Sequence, residues 1–203
     1  MNSNAHQSLE KFLNPEMLRS NLIAASIFIT SYEILKNSIV DQIRSFYTHG
    51  FDDSGPIVSE KYKSKVLVLD PKSRLFPASI AWLRANSVID AKDEQTIADL
   101  TQHRNEIAHE LAEFLSSADR DVELARLTDL VALVTKIDRW WILNVELEIQ
   151  DEIDSATVKP EEIMSGHMIF LHLLLTTASG GDSNQLYEEF LKQTGRSSDT
   201  SLN

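Results

Sequence analysis

The sequence predicts an all-α protein, an up-and-down helical bundle with an irregular basic connector after its first long helix. Three observations predict it. Apolar residues recur at steps of three and four over several long stretches. Short polar turns separate those stretches. Only six glycines and five prolines occur in 203 residues, too few for a turn-rich β fold. An apolar fraction of 42% is enough to build a sizeable core in a chain of one domain's length.

Taken in order, residues 1–14 are polar and expected to be disordered. A helix begins at Asn14–Pro15 and runs to about Tyr47, carrying Leu18, Leu22, Ala25, Ile29, Tyr32, Leu35, Ile39, Ile43 and Phe46. Gly50 to Pro56 ends it. Residues 57–73 form the basic connector, in which Val66–Leu69 reads either as a short strand or as core filler. Pro77 opens a short helix through Trp82 to Ala85. After the turn Asn86–Asp90, Asp90 caps a helix that runs to about Ser116. The next helix extends to about Gln150 with Leu127, Leu130 or Val131, Val134, Ile137, Trp141 and Val145 on its stripe. A fourth long helix spans about Pro160 to Thr177, and a short amphipathic segment covers Gln185–Gln193. The chain thus divides into a helical core over 15–150 and a helical extension over 160–195 packed on it, with 1–14 and 196–203 disordered.

Composition narrows the function classes. There is no cysteine, which excludes disulfides, thiolate nucleophiles and sulfur-ligated zinc. No stretch reads as a signal peptide or as a membrane span, so no membrane partner and a cytoplasmic location are expected. The net charge of −12 opposes constitutive nucleic-acid binding, but it is uneven. From Lys61 to Lys92 seven basic residues face two acids, which permits a local phosphate-facing patch within an acidic chain.

One helix breaks its own pattern. Ile97, Leu100, Ile107 and Leu111 form an apolar stripe, and the spacing asks for an apolar residue at 104, where the sequence has Arg104. An unpaired buried guanidinium would be prohibitive. Arg104 is therefore either a structural residue bonded to a core acid such as Glu33, or a site residue facing an interhelical cleft. Beside the stripe run the small residues Ala98, Thr101, Asn105, Ala108 and Ala112, an edge that lets another helix approach closely. Asn105 and His109 are four apart and share a face, whereas Arg104 and His109 would converge best against a second helix or subunit. Imidazole exchanges protons near neutrality, and a guanidinium neutralises charge developing on a transferring phosphoryl group. Together these groups suit metal-independent RNA cleavage, with two copies of His109 across a symmetric dimer supplying acid and base.

With these residues in place, the chain resembles the HEPN superfamily, all-helical domains of prokaryotic toxins, phage-exclusion proteins and other RNA-cleaving systems. The resemblance rests on Arg104, Asn105 and His109 in the run RNEIAH, on Glu33 within SYEILKNSI, and on the approach FPASIAWLRANSVIDAKDEQTIADLTQHRNEIAH. It covers about residues 15–150. It implies a homodimeric endoribonuclease without metal or other cofactor, with His109 as general acid/base, Arg104 as transition-state clamp, and Asn105 with Glu33 positioning them. It also implies an RNA substrate and an antitoxin or defence-complex partner. The alternative is a catalytically inactive module of the same fold that works by protein contact. A third possibility is an unrelated helical bundle in which RNEIAH is accidental.

Other residues read more plainly. His103 faces away from the small-residue edge and is expected at the surface. His167 and His172 lack the flanking spacing of a metal site and read as core or surface histidines. Of Trp140 and Trp141 one is expected in the core and the other at a contact or partly exposed. Asp138 and Arg139 read as a solvated pair. Asp151, Glu152 and Asp154 form an acidic loop-like run without a second cluster, and the glycine pairs match no phosphate-binding loop.

Overall fold

A computed structural model of the chain describes residues 3–123, 125–147 and 159–178. The fold is all-α, with one small hairpin. Helix α1 spans Ser3–Leu13 and α2 spans Pro15–Phe46. Strands β1 (Thr48–Asp52) and β2 (Gly55–Val58) follow, then α3 (Glu60–Lys65) and a 3-10 turn at Leu67–Leu69. Helices α4 (Leu75–Ala85), α5 (Ala91–His109), α6 (Leu111–Ser116) and α7 (Ala125–Trp141) come next. A π turn at Ile142–Glu146 extends α7, and α8 covers Gly166–Ala178 after a 3-10 turn at Pro160–Glu162.

Helix α2 is the axis, with α4, α5, α7 and α8 packed around it. Its start is fixed locally: the Asn14 side chain accepts from the backbone N–H of Glu16 and Met17, and Pro15 occupies the first turn where no donor is needed. Phe28, Tyr32, Leu35, Ile39 and Ile43 recur at steps of four and three and are buried. Each such side chain contributes roughly 1.5–3 kcal/mol of transfer free energy. By length and composition α2 is apolar enough to cross a membrane, with a mean hydropathy of 1.2 in its most apolar window. This corrects the expectation that no stretch reaches that length. Much of its apolar surface meets the other helices, which is why so long an apolar run is present.

The far end of α2 meets an aromatic cluster. Trp82 stacks on Trp141 with centroids 5.7 Å apart, Phe46 closes on both, and Tyr47 meets Trp82 edge-on. Trp141 is buried and Trp140 is half-buried against Trp82, as the sequence reading had divided them.

Several expectations need correction. Residues 3–13 form a helix, and the disorder expected over 1–14 does not hold there. The reason lies far along the chain: Lys11 is only 4% exposed and its ammonium donates to the carbonyls of Ser117 and Arg120 and to Asp121 at 2.7 Å. Asn4 and Ser8 bond to the same loop. The segment expected only to break α2 is a hairpin, with Gly50 opposite Ile57 and Asp52 opposite Gly55. Gly55 takes a φ of 115° at its turn, where an L side chain would be strained. Val66–Leu69 is neither strand nor uniform filler, because Val66 is buried while Val68 is exposed.

The helix expected from Asp90 to Ser116 starts as predicted, with a reciprocal capping box between Asp90 and Asp93. It breaks at Glu110, whose φ and ψ of −119° and 28° leave the helical region. The turn lets Glu110 meet Arg120 at 2.8 Å and brings Phe114 of α6 onto α5. The helix expected from Pro160 begins only at Gly166, capped by Ser165, whose Oγ accepts from the Met168 N–H. The predicted end of the helix near Gln150, the acidic run 151–154, the segment 185–193 and the tail 196–203 lie outside the described residues.

Candidate functional site

Arg104 stands between core and solvent on α5. One Nη donates to Glu33 Oε1 at 2.7 Å and the other to Asn105 Oδ1 at 3.3 Å. Its guanidinium carbon lies 5.8 Å from the Tyr32 ring centroid. Glu33 therefore meets Arg104, as the sequence suggested, and Lys36 shares the carboxylate at 3.3 Å. Arg104 Nε is buried without a hydrogen-bond partner. Tyr32 is fixed in turn by a 2.9 Å hydrogen bond between its hydroxyl and Thr101.

The true buried position on this turn of α5 is His103, not 104. His103 is 3% exposed, which overturns its expected place at the surface. Its ring meets Phe28 edge-on at 4.8 Å and Phe114 at 5.9 Å, and its Nε2 accepts from the Glu123 backbone N–H. Burial, and then the charge of Arg126, hold this imidazole below its ordinary value, so the neutral form is favoured. A helical wheel places residue 104 nearer the stripe's centre. Helix α6, folded back beyond Glu110, covers the other flank and buries 103 instead.

Asn105, Ala108, His109 and Ala112 are exposed, so the small-residue edge of α5 faces solvent. Asn105 and His109 line a cleft of about 650 Å³ between α4 and α5, together with Pro77, Ile80, Ala98 and Gln102. Glu94, Glu106 and Glu110 also line it, and among the described residues no lysine or arginine does. Arg104 is absent from this lining: Asn105 and His109 share the cleft, and Arg104 reaches Glu33 beside it. The His109 ring has no hydrogen-bond partner among the described residues.

The seven basic residues between Lys61 and Lys92 are all exposed. Three are engaged: Lys63 with Glu60, Arg74 with Asp70, and Arg84 with Glu94 at 3.8 Å. Asp70 anchors the connector, accepting from the N–H of Lys72 and Arg74 and from the Arg74 guanidinium. Those bonds, the Arg74 side chain first, hold its carboxyl far below the usual carboxylate range. Among the described residues Lys61, Lys65, Lys72 and Lys92 make no side-chain ion pair.

A constellation that the sequence reading missed lies elsewhere. Asp138, expected to be solvated, is fully buried on α7. Its carboxylate accepts from Gln42 Nε2 at 3.1 Å, from His167 Nδ1 at 3.0 Å and from the Ser165 hydroxyl. The signal was present: Asp138 follows Val134 by four and precedes Trp141 by three, a charge on the flank of an apolar stripe. The reasoning applied to Arg104 would have found it. Arg139, its supposed partner, instead donates to the Glu161 carbonyl at 3.1 Å.

No protein-family model, curated protein or solved structure matches this chain.

Proposed function

We propose that the chain is a HEPN-like, metal-independent endoribonuclease whose site is completed across a homodimer. The observation that carries this reading is the flank of α5, where Asn105 and His109 stand exposed beside an Arg104 held by Glu33. One His109 would take the proton from a ribose 2′-OH as that oxygen attacks the adjacent phosphorus. The His109 of a second copy would protonate the departing 5′-oxygen. Arg104 would stabilise the pentacovalent phosphate, and Glu33 with Asn105 would hold the guanidinium in place. A second copy is needed because one chain offers this flank a single exposed imidazole and leaves its small-residue edge uncovered. A cytoplasmic location and an antitoxin or defence-complex partner belong to the same reading.

The acid lining of the cleft favours a second reading. Glu94, Glu106 and Glu110 border His109, and although Arg84 and Arg120 pair with Glu94 and Glu110, neither cation lines the cleft, which suits a protein surface better than a phosphodiester. On that reading the chain is a catalytically inactive interaction module of the same fold. Incubation of labelled single-stranded and structured RNAs with purified protein in EDTA, beside His109→Ala and Arg104→Ala variants, separates the two. The ribonuclease predicts cleavage that survives EDTA and falls at least a hundredfold in either variant. Absence of cleavage by the unaltered protein, or cleavage equal in all three, overturns it.

A further inference from the structure

The buried Asp138 carboxylate does more than cross-link three elements, because of which atoms it consumes. It takes the Nε2 donor of Gln42, so the Gln42 amide turns its Oε1 away, and that oxygen is buried without a partner. It takes Nδ1 of His167, which leaves Nε2 as the ring nitrogen not engaged by this network. Ser165 also gives its hydroxyl proton to Asp138, not to His167, and accepts from the Met168 N–H. The three residues are therefore not arranged as a Ser–His–Asp triad: the serine hydroxyl is bonded to the carboxylate and not to the imidazole.

Gln42 and His167 both border a cleft of about 380 Å³. Its carboxylates are Asp41 and Glu146, both exposed, and among the described residues no lysine or arginine lines it. The walls include Phe46, which is 51% exposed, and Trp141, whose ring lies 5.7 Å from it. Glu146 sits in the π turn at Ile142–Glu146, a distortion that often marks functional positions. The cleft thus combines two carboxylates, an imidazole held by Asp138 and an aromatic face. Among the described residues no three His, Asp or Glu side chains gather closely enough to hold a metal ion. A compact inorganic cation is not the complement of this shape.

We propose that this cleft binds an organic cation, an alkylammonium or alkylguanidinium group, between Asp41 and Glu146 with its alkyl portion against Phe46. Such a group supplies the positive charge that the described lining lacks and meets an aromatic face favourably. It comes either from a free polyamine-type molecule or from a lysine or arginine side chain of a bound peptide. The site shares no residue with the cleft at His109 and stands whatever the fate of the ribonuclease reading.

Titration calorimetry of the full chain with agmatine, spermidine and an acetylated Gly-Arg-Gly amide tests it, with magnesium chloride and n-butanol as comparisons. Binding by at least one of the cations, and not by magnesium or butanol, is expected. The Asp41→Asn and Glu146→Gln variants, both on exposed positions, should each weaken it about tenfold. Stronger binding of the peptide than of agmatine would assign the source to a partner's side chain, and the reverse to a free amine. No binding by any of the three cations overturns the proposal. So does binding that neither substitution changes.

Discussion

His109 and His167 both stand at the edge of a cleft, and their surroundings differ in kind. His109 stands exposed at the end of α5, is bordered by three glutamates, and has no hydrogen-bond partner for its ring among the described residues. His167 is pinned through Nδ1 by a carboxylate that is wholly inside the protein. A sequence motif points to the first, whereas only tertiary structure reveals the second. The difference teaches that a motif marks where reactive residue types are gathered, while preorganisation has to be built by groups from other elements. At His109 that support would have to come from a second copy. At His167 it is supplied within the chain, from α2 and α7.

The sharpest way to break this comparison is to remove the anchor. Asp138→Ala leaves Gln42, Ser165 and His167 without their shared acceptor. It should cost about 3 kcal/mol, or roughly 6–12 °C in Tm by calorimetry. A smaller loss than that of His109→Ala would show that the network is incidental. Next in size is His103→Ala, which vacates the ring contacts with Phe28 and Phe114 and strands the Glu123 N–H. About 2 kcal/mol is expected from chemical denaturation.

His103 also gives a pH signature. Its value is depressed in the folded protein, so as pH falls below the ordinary imidazole value of about 6.5 the unfolded chain takes up the proton first. Stability contributed by this neutral ring is present above that value and is lost as pH falls below it. A His103→Gln chain, which keeps an acceptor near the Glu123 N–H, should show a flatter fall of Tm from about pH 7 to pH 5.5. Equal slopes in the two proteins would mean that His103 is not held neutral.

The two smallest effects concern the motif itself. Glu33 and Arg104 are each about a third exposed, so a double-mutant cycle should return a coupling of about 0.5–1 kcal/mol. His109→Ala should leave stability within about 0.5 kcal/mol of the unaltered chain, as suits an exposed ring with no partner. Larger losses at His109 would mean that its role is structural and would level the contrast with His167.

Much of the architecture was legible because its causes are local. Asn14–Pro15 and Asp90 announce helix starts through their own side chains, and the 3–4 spacing of α2 names its buried face. Arg104 was legible as an anomaly, and Glu33 as its partner, since an uncompensated guanidinium on a stripe demands an acid. What escaped depends on distant groups. Helix α1 is ordered by acceptors more than a hundred residues away from Lys11, and no local pattern carries that. The choice between 103 and 104 was made by α6, which exists as a separate helix only because the chain turns at Glu110. Asp138 alone could have been read and was not.

The π turn at Ile142–Glu146 has a consequence for how this protein can change over generations. A π turn holds one residue more than the α-helical repeat would allow, so it is the footprint of a single-residue length difference. Deleting any one residue there would let the helix run on in the ordinary register. The extra residue is absorbed within the turn, so its removal would re-aim the residues of the turn itself, by up to about 100° around the axis. Val145 and Glu146, which border the cleft of His167, lie within that turn. A one-codon deletion would therefore alter that wall while leaving Asp138 and its hydrogen bond from Gln42 in place upstream. Loss of one codon would thus re-aim one cleft without touching the other.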